Sequence, residues 1–407
     1  MPSSSQKIII IGAGPTGLMA AEVLAQKGCA VAVYEQMASP ARKFLMAGRG
    51  GLNLTHSEAL NNFLRRYGAA QSVLEPVIRA FPPEALRRWC EDLKQPTFIG
   101  TSGRVFPKAL KASPLLRAWL QRLATLGVAF HTRRRWKGWD SEGALVFEAP
   151  FGKTETVKAD AVLLALGGAS WPKLGSDGSW TAILKNESIT VNTLRPANGG
   201  FEVAWSSHLK KFEGQPLKPV AITFNGHTVQ AEAMITAKGI EGGAVYSLSS
   251  AIRTALESGV PVVLSLDLRP GMSPEQLRVK FARPRGRESL STYLKALGFS
   301  KLGIALLQEA AHRGGTKLET TDDIIRAIKN LPLPVTKPFP IARAISSAGG
   351  IALDEINAHF MLNKKPGVFV AGEMLDWEAP TGGYLLQACF STAQAAAKGL
   401  LQHLEVA

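Results

Sequence analysis

Residues 7–35 read KIIIIGAGPTGLMAAEVLAQKGCAVAVYE. Ile8–Ile11 are consecutive β-branched residues, the pattern of a strand buried on both faces. Gly12-Ala13-Gly14-Pro15-Thr16-Gly17 follows, and then Leu18, Ala21, Leu24 and Ala25 recur at helical spacing, with Gly28 as a C-terminal stop. Ala30–Tyr34 is a second apolar strand that ends in Glu35. Strand, G-x-G-x-x-G, helix, strand and acid come in the order of a dinucleotide-binding turn, and each part has a physical task. Gly12 permits the tight turn, Gly14 lets backbone approach a pyrophosphate, and Gly17 lets helix and strand pack closely. The helix N-terminus offers N–H donors and positive potential to phosphates, and Glu35 accepts from ribose hydroxyls.

Working outward, residues 39–56 read SPARKFLMAGRGGLNLTH, a Gly-rich basic loop. Ser113-Pro114 opens a helix whose apolar face is Leu116, Trp119, Leu120, Leu123 and Leu126, with Gly127 after it. A short strand is expected at Val128–Phe130, and a β-meander over residues 134–160 with turns near Asp140–Gly143 and Phe151–Lys153. Ala161–Leu166 reads as another buried strand, ending in Gly167-Gly168. Near the C-terminus, Gly367–Ala371 is a strand followed by Gly372-Glu373 and Asp376; Thr381-Gly382-Gly383-Tyr384 then leads into an Ala-rich helix.

The stretches IIIIGAGPTGLMAA, RKFLMAGRGGLNLTH, LLALGGASWPKLGSDG, SSAGGIALDEIN and PGVFVAGEMLDWEAPTGGYLLQACFSTA together resemble the BaiN-like family of NAD(P)/FAD-dependent oxidoreductases. They bracket nearly the whole chain. The resemblance implies an α/β fold: a glutathione-reductase-type FAD-binding Rossmann domain with an inserted β-rich domain and a small helical subdomain. The FAD domain is expected at 1–194 and 337–407. The insert is expected at 195–336, β-rich over 195–272 and helical over 273–336, with Pro196 and LPLPVTKPFP (331–340) as hinges. The cofactor it implies is FAD, non-covalently held, with NAD(P)H as a transient electron donor.

The expected cofactor-binding residues are Gly12, Gly14, Pro15, Thr16, Gly17, Glu35, Gln36, Lys43, Arg49, Asn53, Trp136, Ala165, Gly167, Gly168, Gly372, Glu373, Asp376, Thr381, Gly382, Gly383 and Tyr384. By resemblance, Glu373 takes the place of an acid that bonds the ribityl chain, and the backbone at Trp136 meets the adenine. The helix after Gly382-Gly383 is expected at the flavin pyrimidine edge, with Tyr384 beside the ring; a helix N-terminus there stabilises reduced, anionic flavin. Lys43 and Arg49 are expected near the flavin or its phosphates, and Trp171 and Trp377 are candidates for the pocket wall. Two departures from the family pattern stand out. Most relatives carry Arg-Cys-Asn in the Gly-rich loop, where this chain has Arg49-Gly50-Gly51-Leu52-Asn53. Many carry Thr-His-x-Gly-x-Ser-Gly-Pro in the insert, where this chain has Thr236-Ala237-Lys238-Gly239-Ile240-Glu241-Gly242-Gly243.

No second G-x-G-x-x-G occurs in the sequence, so a dedicated nicotinamide domain is not expected. The 3 cysteines form no C-x-x-C pair and the 7 histidines no metal-binding spacing, which excludes a zinc ribbon, a dithiol centre and a recognisable metal site. No catalytic acid, base or Ser-His-Asp triad can be named. The apolar run 8–21 is interrupted by Glu22 and no small-x-small cleavage site follows; with no later run of about 18 apolar residues, a soluble cytoplasmic protein is expected. Within the 407 residues, 19% of which are charged, the formal net charge is +15. Two thirds of that excess falls in residues 79–137, where 13 Lys and Arg face 3 Asp and Glu. Three functions compete: an oxidoreductase of a small organic substrate, reductase or oxidase; a flavin-dependent nucleic-acid (tRNA) modifying enzyme with the basic segment as its surface; and an FAD-binding sensor without turnover. Nucleic acid is the lesser alternative as a partner, and no membrane partner is expected.

Overall fold

The computed structural model describes residues 6–48 and 50–406. From the N-terminus, strand β1 (Lys7–Ile11) leads through the glycine turn into helix α1 (Pro15–Ala25) and strand β2 (Ala30–Glu35). Helix α2 (Arg42–Ala47) follows, and then β3 (Thr55–His56), β4 (Thr97–Ile99) and β5 (Arg104–Pro107), which form a small antiparallel sheet ordered β3-β5-β4. A helix over Ala112–Thr125 returns the chain to β6 (Ala129–Thr132). This helix begins one residue before Ser113, with no side-chain cap bond. The meander β7 (Arg135–Trp139), β8 (Leu145–Glu148) and β9 (Thr154–Val157) then leads to β10 (Ala161–Leu164).

Five strands build the central sheet, in the order Val368–Val370, β10, β1, β2, β6, and every pairing in it is parallel. Ile8, Ile9 and Ile10 are fully buried, as a strand covered by structure on both faces demands. The C-terminal helix Tyr384–Val406 packs on α1, and its Ala388, Ala393, Ala396 and Ala397 are fully buried, so small side chains let it lie close. The fold class is therefore α/β, with a parallel Rossmann-type core and further antiparallel sheets.

The chain divides into two compact units, one running up to Arg195 and resuming at Ser346, the other Pro196–Ile345. The second unit has its own core around a six-stranded antiparallel sheet. Strands Phe201–Glu202, Pro216–Phe224, His227–Thr236, Gly239–Glu241, Val262–Asp267 and Leu331–Val335 form it. Four helices over Pro274–Lys280, Leu290–Ala296, Lys301–His312 and Thr321–Lys329 lie in the chain between the strands Val262–Asp267 and Leu331–Val335.

Two expectations are corrected here. The stretch read as strands up to residue 272 contains a helix, Gly243–Glu257, whose buried positions Ala244, Val245, Leu248, Ser249 and Ile252 fall at helical spacing. Its Ser and Thr residues mask an amphipathic stripe that tertiary packing completes. LPLPVTKPFP is not a hinge: Leu331–Val335 is the edge strand of the sheet, paired with Val262–Asp267. Leu331, Leu333 and Val335 point inward, while Pro332 and Pro334 take exposed positions on an edge, where a missing N–H costs no ladder bond.

Candidate cofactor cleft

The first unit holds an open cleft at the C-terminal ends of β1, β2 and β10, with about 950 Å³ of atom-free space. Of the residues expected to bind cofactor, Gly12, Gly14, Pro15, Thr16, Glu35, Gln36, Lys43, Trp136, Ala165, Gly167 and Glu373 line it.

The three glycines of the turn differ in what surrounds them. Gly12 has φ +105, and a Cβ there would strike the Ala165 carbonyl. A Cβ on Gly17 would strike the Gly12 carbonyl, so this glycine sets the close approach of α1 to the turn. Gly14 meets neither limit: a Cβ there has nothing within 4 Å, because it would stand in the cleft. Gly14 also caps α1 without any side-chain bond, which leaves the helix's first N–H groups facing the cleft as an anion site.

Glu35, at the end of β2, accepts from the Ala13 N–H (2.9 Å) and from the Met37 N–H (2.8 Å). Burial pushes its carboxyl up, against the pull of those N–H bonds. Across the cleft, Lys43 Nζ donates to both oxygens of Glu373 (2.7 and 3.0 Å) and to Ser170 Oγ (2.6 Å). Glu373 also accepts from the Ser347 N–H at 2.9 Å. Helix α2 and the turn after Val368–Val370 thus bring together a cation and an acid that the sequence holds far apart. Cys389 lines the cleft too; burial first, then Glu373, push its thiol up to about 12, so it is a neutral thiol at physiological pH.

Two polar atoms on the walls, Ser176 Oγ and Trp136 Nε1, are buried without a hydrogen-bond partner among the described residues. Together with the uncapped helix and the open space at Gly14, they fit a dinucleotide with phosphates at the turn, ribose at Glu35 and further polar groups toward Lys43 and Glu373. Sequence reasoning missed the wall formed by Arg134, Arg135, Gly175, Ser176 and Asp177. Arg135 pairs with Asp177 at 2.6 Å, and Gln36 donates to the Gly175 carbonyl at 2.7 Å. The signal available was the Gly-rich LGSDG stretch, which binds across to the end of β2.

The remaining expected residues stand away from the cleft lining. Gly17, Gly168 and Gly372 support it: a Cβ on Gly168 would meet Ser347, and one on Gly372 would meet Thr16. Asn53 donates to the carbonyls of Thr55 (2.8 Å) and Val105 (3.2 Å), tying the Gly-rich loop to β3 and β5. Asp376 accepts from Asn192 Nδ2 at 2.6 Å. Trp377 is buried and donates to the Gly372 carbonyl, and neither it nor Trp171 lines the cleft. Arg49 lies outside the described residues.

Thr381, Gly382, Gly383 and Tyr384 form a second focus. A Cβ on Gly383 would run into the Thr55 backbone, so this glycine is required by β3 rather than by open space. Tyr384 donates to Glu58 Oε1 at 2.5 Å, and Arg66 grips the same carboxylate through Nε (3.1 Å) and Nη2 (2.8 Å). The His56 ring stacks on Tyr384 with centroids 5.6 Å apart, and Tyr67 Oη donates to the Tyr384 carbonyl at 2.8 Å. Burial, then the bond to Glu58, hold the Tyr384 phenol far above its usual range, so it stays protonated.

The parallel core and its cleft place the chain in the class of FAD-dependent oxidoreductases. Residues 6–399 match the family described as "HI0933-like protein Rossmann domain", and the chain belongs to that family. A 3-dehydro-bile acid delta(4,6)-reductase of Clostridium scindens is 27% identical, over 96% of this chain and 98% of its own. A ribosomal RNA dihydrouridine synthase of Escherichia coli is 25% identical, over 97% of each chain. Among solved structures, 3-ketosteroid delta1-dehydrogenase from Sterolibacterium denitrificans superposes with a TM-score of 0.54 at 12% identity, covering 99% of this chain and 100% of that one. A 3-ketosteroid-delta4-(5alpha)-dehydrogenase from Rhodococcus jostii gives 0.50 at 14% identity, covering 98% and 97%. These two likenesses are of fold. No helix among the described residues is long and apolar enough to cross a membrane.

Proposed function

We propose that the protein is an FAD-dependent reductase of a carbon–carbon double bond conjugated to a carbonyl. What carries the reading is the cleft with its uncapped α1 N-terminus, the Glu35 ribose acceptor and the Lys43–Glu373 pair, in a chain with one dinucleotide turn. The names of two relatives support the reaction: a bile acid delta(4,6)-reductase and a dihydrouridine synthase both add two electrons and two protons across a conjugated double bond. FAD bound in the cleft supplies the two-electron chemistry. The chain's own residues do the rest: the turn and Glu35 anchor the dinucleotide, and Lys43 with Glu373 orients its polar chain. Because no second dinucleotide turn is present, NAD(P)H docks only transiently. Mixing purified holoprotein anaerobically with NADPH or NADH should bleach the flavin, and 2-cyclohexen-1-one should restore its absorbance while cyclohexanone does not. Bleaching by an amine, with peroxide formed on reoxidation, would replace this reading with an oxidase.

A second reading places the double bond in a pyrimidine of RNA. It is favoured by the exposed Lys94, Arg104, Lys108, Lys111 and Arg117, which form no ion pair among the described residues.

A further inference from the structure

We propose that the outer face of the β3-β5-β4 sheet is a docking surface for single-stranded RNA, a proposal that rests on the second reading above and names where that substrate lies. The register defines the face. Phe98 is paired with Phe106, and His56 with Arg104. Phe106 and Arg104 are two residues apart on one strand, so all four side chains leave the sheet on one side. The opposite side carries Thr55, Thr97, Val105 and Pro107, all buried, with Ile99 alone exposed on it at the end of β4. The outer face thus carries three flat rings and one cation, Arg104, across three strands. Phe98 is 37% exposed, and its ring lies against Phe106 with centroids 5.8 Å apart and planes 29° from parallel. The row continues from Arg104 to His56, whose ring stacks on Tyr384.

Charge points to the same occupant. Among the described residues, Arg104 is exposed and forms no ion pair on this face, and Lys94 and Lys108 stand exposed without an ion pair near the open end of the β4–β5 hairpin, where the Lys108 N–H bonds the Pro96 carbonyl. Glu58, beside His56 in the chain, is held by Arg66 and Tyr384 and does not neutralise Arg104, and the exposed Glu91 and Asp92 form no ion pair with Lys94 among the described residues. A protein partner of the two phenylalanines would leave the cations uncompensated, and a small enone would reach neither end. Bases stacking on sheet-borne aromatics while phosphates meet flanking Lys and Arg satisfy both halves of the face. A double helix has no unstacked bases to offer the rings, so the strand is single.

The test is fluorescence anisotropy of the FAD-loaded protein with a labelled oligouridine of about twelve nucleotides. Phe98→Ala should weaken binding about ten-fold or more, whereas Phe98→Tyr should bind as the parent does. Lys94→Ala and Lys108→Ala should each reduce the slope of log K against log salt by about 0.7. All three positions, Phe98, Lys94 and Lys108, are exposed, so FAD content and melting temperature should be unchanged. Equal affinity of parent, Phe98→Ala and both Lys variants, or equal affinity for a duplex of the same length, would overturn the proposal. Reoxidation by 2-cyclohexen-1-one, run in parallel, separates the two claims. Enone turnover without oligouridine binding removes the docking surface and leaves the reductase. Oligouridine binding as stated, with no reoxidation by enone or RNA, keeps the surface and removes the reductase.

Discussion

In the Gly12–Gly17 turn, a side chain at Gly14 would meet nothing within 4 Å; in the Thr381–Tyr384 turn, one at Gly383 would run into the Thr55 backbone. Both turns place two glycines just before a helix, and from sequence both read as places where backbone approaches a ligand. The contrast teaches that glycine is kept for two separate reasons. At Gly14 the space beside the backbone is cleft, reserved for a group other than protein. At Gly383 that space is already filled by β3, and the glycine joins the C-terminal helix to the sheet that carries His56. Gly12 and Gly17 belong with Gly383 in this respect, since the Ala165 and Gly12 carbonyls fill their space.

The largest effect expected from this contrast is at Gly17. Gly17→Val drives a branched side chain into the Gly12 carbonyl between α1 and β1, where backbone cannot yield cheaply. A loss of about 4–5 kcal/mol or more, at the exceptional end for a single substitution, should leave little folded protein. Circular dichroism and solubility would check it. Gly383→Val should come next, costing about 3 kcal/mol through overpacking against Thr55 and a positive φ of 98. It should lower the melting temperature of the cofactor-free protein, which a role confined to flavin contact would not do. An unchanged apoprotein melting temperature would erase the distinction between the turns.

Gly14→Val should behave oppositely. Its backbone φ of −79 suits any residue, and its side chain has room. The cofactor-free protein should melt within about 0.5 kcal/mol of the parent, while FAD content falls to a small fraction of it. Normal flavin occupancy in this variant would show that the pyrophosphate does not approach Gly14.

The turn at Gly12–Gly17 was legible because its determinants are local: the β-branched run, the glycine spacing, the helix and Glu35 lie within thirty residues and act on each other. The meander β7–β9 and the strand at β10 were legible for the same reason, through alternation and turn residues. Lys43 and Glu373 were each readable as part of the site, but their ion pair was not, since only the folded sheet brings α2 beside Val368–Val370. The reason for Gly383 was hidden likewise, because Thr55 is its partner. Helix Gly243–Glu257 and the edge strand Leu331–Val335 were misread where local composition, Ser and Thr in one and Pro in the other, opposed what packing decides.

The smallest effect concerns the bonds that tie Tyr384 to the β3 loop, and it sharpens the view that the second turn is a structural joint. Burial opposes ionisation of Glu58, yet the hydrogen bonds from Arg66 and Tyr384 more than offset it and hold the carboxyl below the usual carboxylate range. A carboxyl whose folded-state pKa is depressed contributes stability above its unfolded value, and that contribution is lost as pH falls through the folded value. Glu58→Gln should therefore cost stability at neutral pH, and the cost should shrink as the solution is acidified below the ordinary carboxylate range. A charge-assisted bond is worth about 1.5–3 kcal/mol when enclosed. Arg66 is 48% exposed, so solvent screening reduces the expected cost to about 1 kcal/mol. Tyr384→Phe should cost a similar amount at neutral pH by removing one donor, and the two penalties should combine non-additively, since both substitutions act on the hydrogen-bond network centred on Glu58. Chemical denaturation of parent, single and double variants at neutral and acid pH measures these differences. A Glu58→Gln penalty that stays constant with pH would show that the ionised carboxylate does not hold the joint, leaving Gly383 against Thr55 as its main support.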